Sequence, residues 1–480
     1  MAWTHYGNRG TAQNKTSSAT LAITPTATIA VGRLLIIWTA WDSHRGTPYP
    51  ISATSSIGQT KVTDSQGNIY VQLTSQGAAE DGTHVRAGLF ISRIRTQLTT
   101  SDTVTITSKT AVDAKSASMH EFGSTLTGWV FNSQGQDSDH VWRTANGDVP
   151  DLVLASMVSQ SYLLLHLLAV EGPDTDAYTW DGDYTQITGT GTTGGADDEN
   201  VHIRGSYRIA TLTGDTLSIT SDTADRDLSQ GLFSLAEVDI PSGSKTFPEY
   251  GLLDDANRAD ENPLSFGGMW LKSSGGLGVV PGGIQDADLK VLSNEFKVAH
   301  SHIDSYGKYF WQDDIPCAYS EAWATLSANP SASIEGQTPP TPDTNPGVRG
   351  IGVGIGKPDG FSGSDLTAAV NLMRLGKFQV DDLLWFRNPS SGGILMAFVG
   401  AMAAGMRIGV QQIAGRYYHA YIDQNLGNGW EWLMCIDWGN SPLTRPQRPI
   451  LWVSGTEAAA DNFGGGHRCF GPKIIRRLGG

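Results

Sequence analysis

The chain has 480 residues, enough for several well-filled cores, and only 17% are charged against 57 glycines. With Ser and Thr also abundant, that balance excludes a helical bundle, rich in Glu, Lys, Ala and Leu, and favours short strands joined by tight turns. A net charge of −15 excludes general affinity for nucleic acid, because phosphate binding needs clustered Lys and Arg.

Met1 to Gly10 lacks the charged and apolar regions of a signal peptide, so synthesis in the cytoplasm is expected. The longest apolar stretch, Ile394 to Met406, is too short to span a bilayer, and no membrane insertion is expected. The cysteines Cys317, Cys435 and Cys469 form no CxxC pair and read as buried thiols.

In chain order, the first half reads as a duplication. Gly32–Trp41 matches Ser161–Val170, each a long apolar strand. His84-Val85-Arg86-Ala87 matches His202-Ile203-Arg204-Gly205, both after an acidic, Gly-rich loop. Asp102–Ser108 matches Asp215–Ser221, and Met119–Phe122 matches Leu235–Val238. Four matches in one order, at a period of about 115 residues, give units the size of a small β-sandwich. Leu217 and Ile219 alternate with Thr216, Ser218 and Thr220 in strand fashion. Asp64-Ser65-Gln66-Gly67-Asn68, between two strand-like runs, predicts a hairpin turn. The units are placed at 1–124 and 125–242, as two sandwiches or as halves of one larger sandwich.

Pro241-Ser242-Gly243-Ser244 breaks the pattern before a third unit, 243–470, and a basic tail, 471–480, carrying Lys473, Arg476 and Arg477. Ile394–Gly400, Met406–Ile413, Arg416–Asp423 and Trp430–Asp437 predict a four-stranded antiparallel meander, with Asn425–Gly429 as a turn. Asp365–Leu375 predicts a short helix capped by Ser364. Gly350–Lys357 lacks the GxxxxGK[ST] spacing of a phosphate loop and reads as a glycine-rich strand.

Two phrases of the third unit carry a resemblance. Leu253-Asp254-Asp255-Ala256-Asn257-Arg258-Ala259-Asp260-Glu261-Asn262-Pro263-Leu264 runs on to Gly267-Gly268-Met269-Trp270, and Asp461-Asn462-Phe463-Gly464-Gly465-Gly466 answers it near the end. They resemble the two ends of the concanavalin A-like (laminin-G-like) jelly-roll domain of minor tail proteins of actinobacterial, siphovirus-type phages. Val62–Tyr70 and Glu121-Phe122 are loosely similar to a phage structural family. The resemblance implies an all-β virion protein: two tandem related β-sandwich units followed by a concanavalin A-like jelly-roll domain. It further implies a place at the tail tip, other virion proteins as partners, a homo-oligomer such as a trimer, and contact with host-envelope glycan. Capsid decoration or a head fibre is the alternative setting.

Candidate chemistry follows from residue types. Tyr417, Tyr418, Tyr421, Trp430, Trp432 and Trp438 cluster in the meander, where exposed rings would stack on sugars. On a strand, His300, His302 and Asp304 share a face and offer three ligands to a metal such as zinc. Asp254-Asp255, Asp260-Glu261, Asp286 with Asp288, and Asp313-Asp314 are oxygen-rich loops of the kind calcium takes, and jelly rolls of this class often bind it. A polysaccharide hydrolase would need two carboxyls facing one groove. Glu431 and Asp437 have the right types at too wide a spacing, so no catalytic residue is assigned and no enzyme is expected.

Overall fold

The computed structural model describes residues 3–42, 60–73, 85–124, 128–143, 147–155, 157–172, 177–196, 199–221, 226–238, 247–248, 252–257, 259–262, 264, 270–272, 289–298, 306–311, 319–328, 349–356, 370–378, 381–387, 394–399, 401–413, 417–437, 448–454 and 459–468. Every regular element among them of strand length is β. The first unit contains β1 (Thr4–Asn14), β2 (Ser18–Ile23), β3 (Leu34–Trp41), β4 (Thr60–Asp64), β5 (Val71–Gln72), β6 (Arg86–Arg93), β7 (Val104–Val112) and β8 (Lys115–Gly123). The second contains β9 (Gly128–Arg143), β10 (Gly147–Leu154), β11 (Gln160–Glu171), β12 (Tyr178–Trp180), β13 (Thr185–Gln186), β14 (Thr190–Gly191), β15 (Val201–Leu212), β16 (Asp215–Ser221) and β17 (Arg226–Val238).

The two units share one topology. The first pairs as β1-β8-β3-β6-β5 and β2-β7-β4, the second as β9-β17-β11-β15-β13 and β10-β16-β12. The four matched phrases of the sequence fall on equivalent strands: β3 and β11, β6 and β15, β7 and β16, β8 and β17. Alternation fixes the faces. Leu217 and Ile219 are buried, while Thr216, Ser218 and Thr220 are exposed. The Asp64–Asn68 turn is not a hairpin. It carries the chain from the small sheet to the large one, since β4 pairs with β7 and β5 with β6. Asp64 holds it, Oδ1 accepting from the amides of Gln66 (2.9 Å) and Asn68 (3.0 Å) and Oδ2 from the Tyr70 hydroxyl (2.7 Å).

The two units are stacked by their large sheets. β15 lies across β3 and β8, and β11 across β3 and β6. Every residue of β3 is therefore buried. One side, with Leu35 and Ile37, packs on Leu21, Ile23, Val104 and Ile106 of its own sandwich. The other, with Leu34, Ile36, Trp38 and Ala40, belongs to the core shared with the second unit. That is the physical reason for an unbroken apolar run where a half-exposed strand would alternate. The seam also carries polar joints. Trp38 Nε1 donates to the His166 carbonyl (2.8 Å), and His5 links His120 (3.0 Å) to the Tyr207 hydroxyl (3.0 Å). Burial holds His120 down to about 4, aided by the neighbouring His5, so both rings are neutral at pH 7.

The third unit contains β18 (Leu252–Asp254), β19 (Trp270–Lys272), β20 (Leu289–Leu292), β21 (Glu295–Val298), β22 (Tyr306–Trp311), β23 (Tyr319–Ala328), β24 (Arg349–Gly356), β25 (Val370–Phe378), β26 (Asp381–Arg387), β27 (Ile394–Phe398), β28 (Arg407–Ile413), β29 (Tyr417–Asp423), β30 (Glu431–Asp437), β31 (Arg448–Ser454) and β32 (Ala459–Arg468). They form two facing sheets, β27-β26-β25-β24-β31-β22-β19 and β30-β29-β28-β23-β32-β21-β20. Ala322, Ala324, Ile408, Val410, Ala420 and Ile422 of one meet Ile351, Val353, Leu375 and Leu451 of the other. The glycine-rich run is a strand, β24, as its sequence suggests. Two expectations are corrected. Val370–Leu375 is strand rather than helix, paired with β24 and β26. The meander has three strands, because β27 joins the opposite sheet.

Both sheets of the third unit continue those of the first two. β27 pairs with β5 through Met396–Gln72 and Ala397–Val71. β30 pairs in parallel with β9 through Cys435–Val130, Ile436–Phe131 and Asp437–Asn132. The molecule is thus one long pair of facing sheets, with a three-stranded sheet capping each outer side at the N-terminal half. Arg95 of the first unit pins this joint, pairing with Glu431 and donating to Gln424 Oε1 (3.3 Å).

Candidate functional site

The two phrases that carry the resemblance meet in space. β18 pairs with β32 through Leu252–Gly464 and Asp254–Phe463. Their acids are largely spent on turns. Asp254 Oδ1 accepts from the Ala256 amide (2.9 Å), Asp255 Oδ1 from the Asn257 amide (2.9 Å), and Asp260 Oδ1 from the Ser293 amide (3.0 Å). Asp461 is pushed up, first by burial and then by Asp255 and Glu295. Among the described residues no group of three His, Cys, Asp or Glu side chains is placed to hold a metal. His300, His302, Asp304, Asp286, Asp288, Asp313 and Asp314 lie outside the described residues.

The most chemically loaded surface is the outer face of the sheet containing β23, β28, β29 and β30. Register puts Glu321, Gln411, His419 and Cys435 side by side across these four strands. Their neighbours of opposite parity, such as Ala322, Val410 and Ala420, face the core, so this row faces away from it. The row is buried nonetheless and internally bonded. Trp432 Nε1 donates to His419 Nδ1 (3.0 Å), the Tyr421 hydroxyl to Gln411 Oε1 (3.2 Å), and Gln411 Nε2 to Glu321 (3.5 Å).

Burial decides the chemistry. It lowers His419 to about 3 and raises the Cys435 thiol, which Asp437 raises further. Both groups are neutral although Cys435 Sγ lies 3.7 Å from His419 Nε2. A nucleophilic pair needs thiolate, so this contact is structural. Glu321 and Asp437 stand on strands three spacings apart, about 14 Å, beyond the reach of a glycosidase pair. Glu431 is engaged by Arg95 and lies six positions from Asp437 along one strand, about 20 Å.

The aromatic residues separate by strand parity. Tyr418 turns inward, its hydroxyl accepting from Gln412 (2.6 Å). Tyr421 and Trp432 lie on the outer face yet are 4% and 6% exposed. An open stacking platform of Tyr418, Tyr421 and Trp432 is therefore corrected: one ring is inside the core and two are covered. Tyr417 and Trp430 are half-buried, and Trp438 lies outside the described residues. Trp432 lies edge-on to Trp129 (centroids 6.2 Å, 82°), and the cover of Tyr421 is Phe247, near the start of the third unit. Its ring stacks on Tyr421 (centroids 4.1 Å, 3° apart) and meets Trp430 edge-on (4.8 Å, 90°). A Cβ on Gly409 would lie 2.2 Å from the Phe247 ring and 3.2 Å from Trp323 Cβ. Arg407 sits over Trp430 (4.9 Å) and bonds Asp423 (Nε to Oδ2, 3.0 Å). Sequence reasoning missed Phe247, Gly409, Trp323 and Arg407. Gly409 inside a strand was the one available signal of close approach.

No family model matches the chain, and no curated protein matches it. Among solved structures, the Ca2+/Man-bound VIP36 exoplasmic/lumenal domain is similar over 45% of this chain and 91% of that one, at 10% identity and TM-score 0.30. The legume lectin-like domain from Entamoeba histolytica is similar over 44% and 96%, at 9% identity and TM-score 0.28. Porphyranase B from Zobellia galactanivorans is similar over 47% and 96%, at 10% identity and TM-score 0.29. Scores at this level assign no function.

Proposed function

We propose that the chain is a structural protein of a phage virion, a minor tail or tail-tip component whose third unit contacts host-envelope glycan. The observation that supports this reading is the pairing of β18 with β32. The phrases at 253–264 and 461–466 resemble the two ends of a tail-protein jelly roll, and here they lie on neighbouring strands. The continuous sheets suit the role, since a part that transmits load gains from having no hinge between its units. The same reading gives other virion proteins as partners and a symmetric homo-oligomer, such as a trimer, as the assembled form.

Immunogold labelling and mass spectrometry of purified particles from the source test it. Gold at the tail, with the chain among the particle proteins, is the expected result. Gold on the head moves the protein to capsid decoration. Particles lacking the chain overturn the virion reading altogether.

A further inference from the structure

Lys15 follows β1 and reaches out of the first unit to the end of the loop that precedes β15 of the second. Its ammonium carries three N–H bonds, and three acceptors meet it. It donates to the Gly194 carbonyl, Asn200 Oδ1 lies 3.2 Å from Nζ, and Glu199 Oε2 lies 3.6 Å from it. The last two make a reactive combination with the amine: a carboxamide to attack and a carboxylate to move protons.

The loop fixes the amide. Asn200 is 1% exposed, and its Nδ2 donates to the carbonyls of Gly194 (3.1 Å) and Ala196 (2.8 Å). With both amide protons spent on the loop, Oδ1 is turned to Lys15, and Cγ stands one bond behind it. Glu199 folds round the same turn. Its Oε2 accepts from the Ala196 amide (3.3 Å), and its own amide donates to the Ala196 carbonyl (3.1 Å) that also holds Asn200 Nδ2. The loop is also seated on β1, Thr190 Oγ1 donating to Gln13 Oε1 (3.4 Å), so the reacting groups are brought together before reaction. An ordinary ion pair accounts for Lys15 and Glu199, but not for a buried amide aimed at the amine.

We propose that Lys15 and Asn200 form an intramolecular isopeptide bond, with Glu199 as proton carrier, which ties the first unit covalently to the second. The Glu199 carboxylate takes a proton from the Lys15 ammonium. The freed amine adds to Asn200 Cγ, forming the Nζ–Cγ bond and pushing the carbonyl pair onto Oδ1. Glu199 then gives its proton to Nδ2 and takes the second proton of Nζ. The Oδ1 pair returns, the Cγ–Nδ2 bond breaks and ammonia leaves, collecting the proton from Glu199 to depart as ammonium. Nothing is oxidised or reduced. Burial of Asn200 shields its amide from hydrolysis, while Glu199, its side chain 60% exposed, opens the way out for ammonia.

The test is intact-mass spectrometry of the full, folded chain after prolonged incubation at mildly alkaline pH, followed by proteolysis and peptide sequencing. Wild type should be lighter than its sequence by one ammonia, about 17 Da. It should also yield a branched peptide joining the segments that contain Lys15 and Asn200. Lys15→Arg, which keeps the charge and the donors, should have the full mass and no branched peptide, and Glu199→Gln should lose the link. A wild type of full mass overturns the proposal, and this reading needs no variant to fold. So does a loss of ammonia that persists in Lys15→Arg, which marks ring closure of an asparagine on its own backbone. A link that forms undiminished in Glu199→Gln overturns the proton route. Neither particle nor glycan enters the experiment, so its outcome is separate from the virion reading.

Discussion

At the residue scale, one ion pair reinforces the strand-paired joint between the first and third units. Arg95 and Glu431 are mostly withdrawn from water, with side chains 12% and 19% exposed. Removing one partner leaves the other's charge poorly solvated. Arg95→Met should therefore cost about 3 kcal/mol, seen as a lowered urea midpoint, while an exchange of both partners for apolar residues should cost much less. If the single and double changes cost the same, the pair is not what pins the joint. The histidines make a second residue-scale prediction. The unfolded chain binds a proton near pH 6.5, whereas native His120 resists it down to about 4. Between those values the unfolded state carries the extra proton. Stability is therefore complete above about pH 6.5 and is lost as pH falls towards 4, by roughly 3 kcal/mol for this site. His166 and His419, both lowered to about 3 by burial, push in the same direction. Denaturant midpoints measured from pH 7 to 4.5 should fall less steeply for His120→Asn. An unchanged slope would remove His120 from the account.

At the element scale, the seam between the duplicated sandwiches tolerates no added volume. A Cβ on Gly205 of β15 would lie 2.7 Å from the His166 carbonyl and 2.9 Å from Trp38 Nε1. Gly205→Val should cost about 1–3 kcal/mol and alter Trp38 fluorescence, whereas Gly182→Ala, which meets open space, should do neither. The strands themselves were legible, because period-two patterns and the repeated phrases are local. The all-apolar run of β3 announced a strand, yet nothing in it says that its second face packs on another sandwich. For the same reason the Asp64–Asn68 turn read as a hairpin. Turn chemistry fixes the bend, while the sheet that receives the next strand is fixed by distant partners. The aromatic cluster failed in a parallel way: parity sends Tyr418 inward, and Phe247, which covers Tyr421, comes from over 150 residues away. The duplicated edges also diverge. β1 carries register shifts beside Gly7 and Gly10, both at positive φ, which spoil it as a template for another strand. Its counterpart β9 accepts β30.

At the scale of the whole molecule, three units share two sheets and a core that runs through all of them, beside a second core inside the first unit, so they should melt together. Calorimetry of the full chain should give a single transition, with the calorimetric and van't Hoff enthalpies in agreement. Two resolved transitions would mean that the β5–β27 and β9–β30 joints couple the units only weakly. A fragment ending at residue 242 should be prone to association, since it lacks the strand that covers β9 and the strand that covers β5. The all-β class was readable from composition and the two related sandwiches from repetition, while the larger third sandwich was implied by the resemblance. The fusion of their sheets was not, because it rests on five residue pairings between strands far apart in the chain.

Those pairings impose an order on synthesis. The edges of β5 and β9 leave the ribosome roughly 300 residues before the strands that cover them. Each sandwich can close its own small sheet early, but two raw edges wait until β27 and β30, late in the third unit, have been translated. A nascent chain in this condition is open to pairing with its neighbours on a polysome. The cell's holding chaperones, and the spacing of ribosomes on the message, thereby become part of what determines the yield of the finished protein.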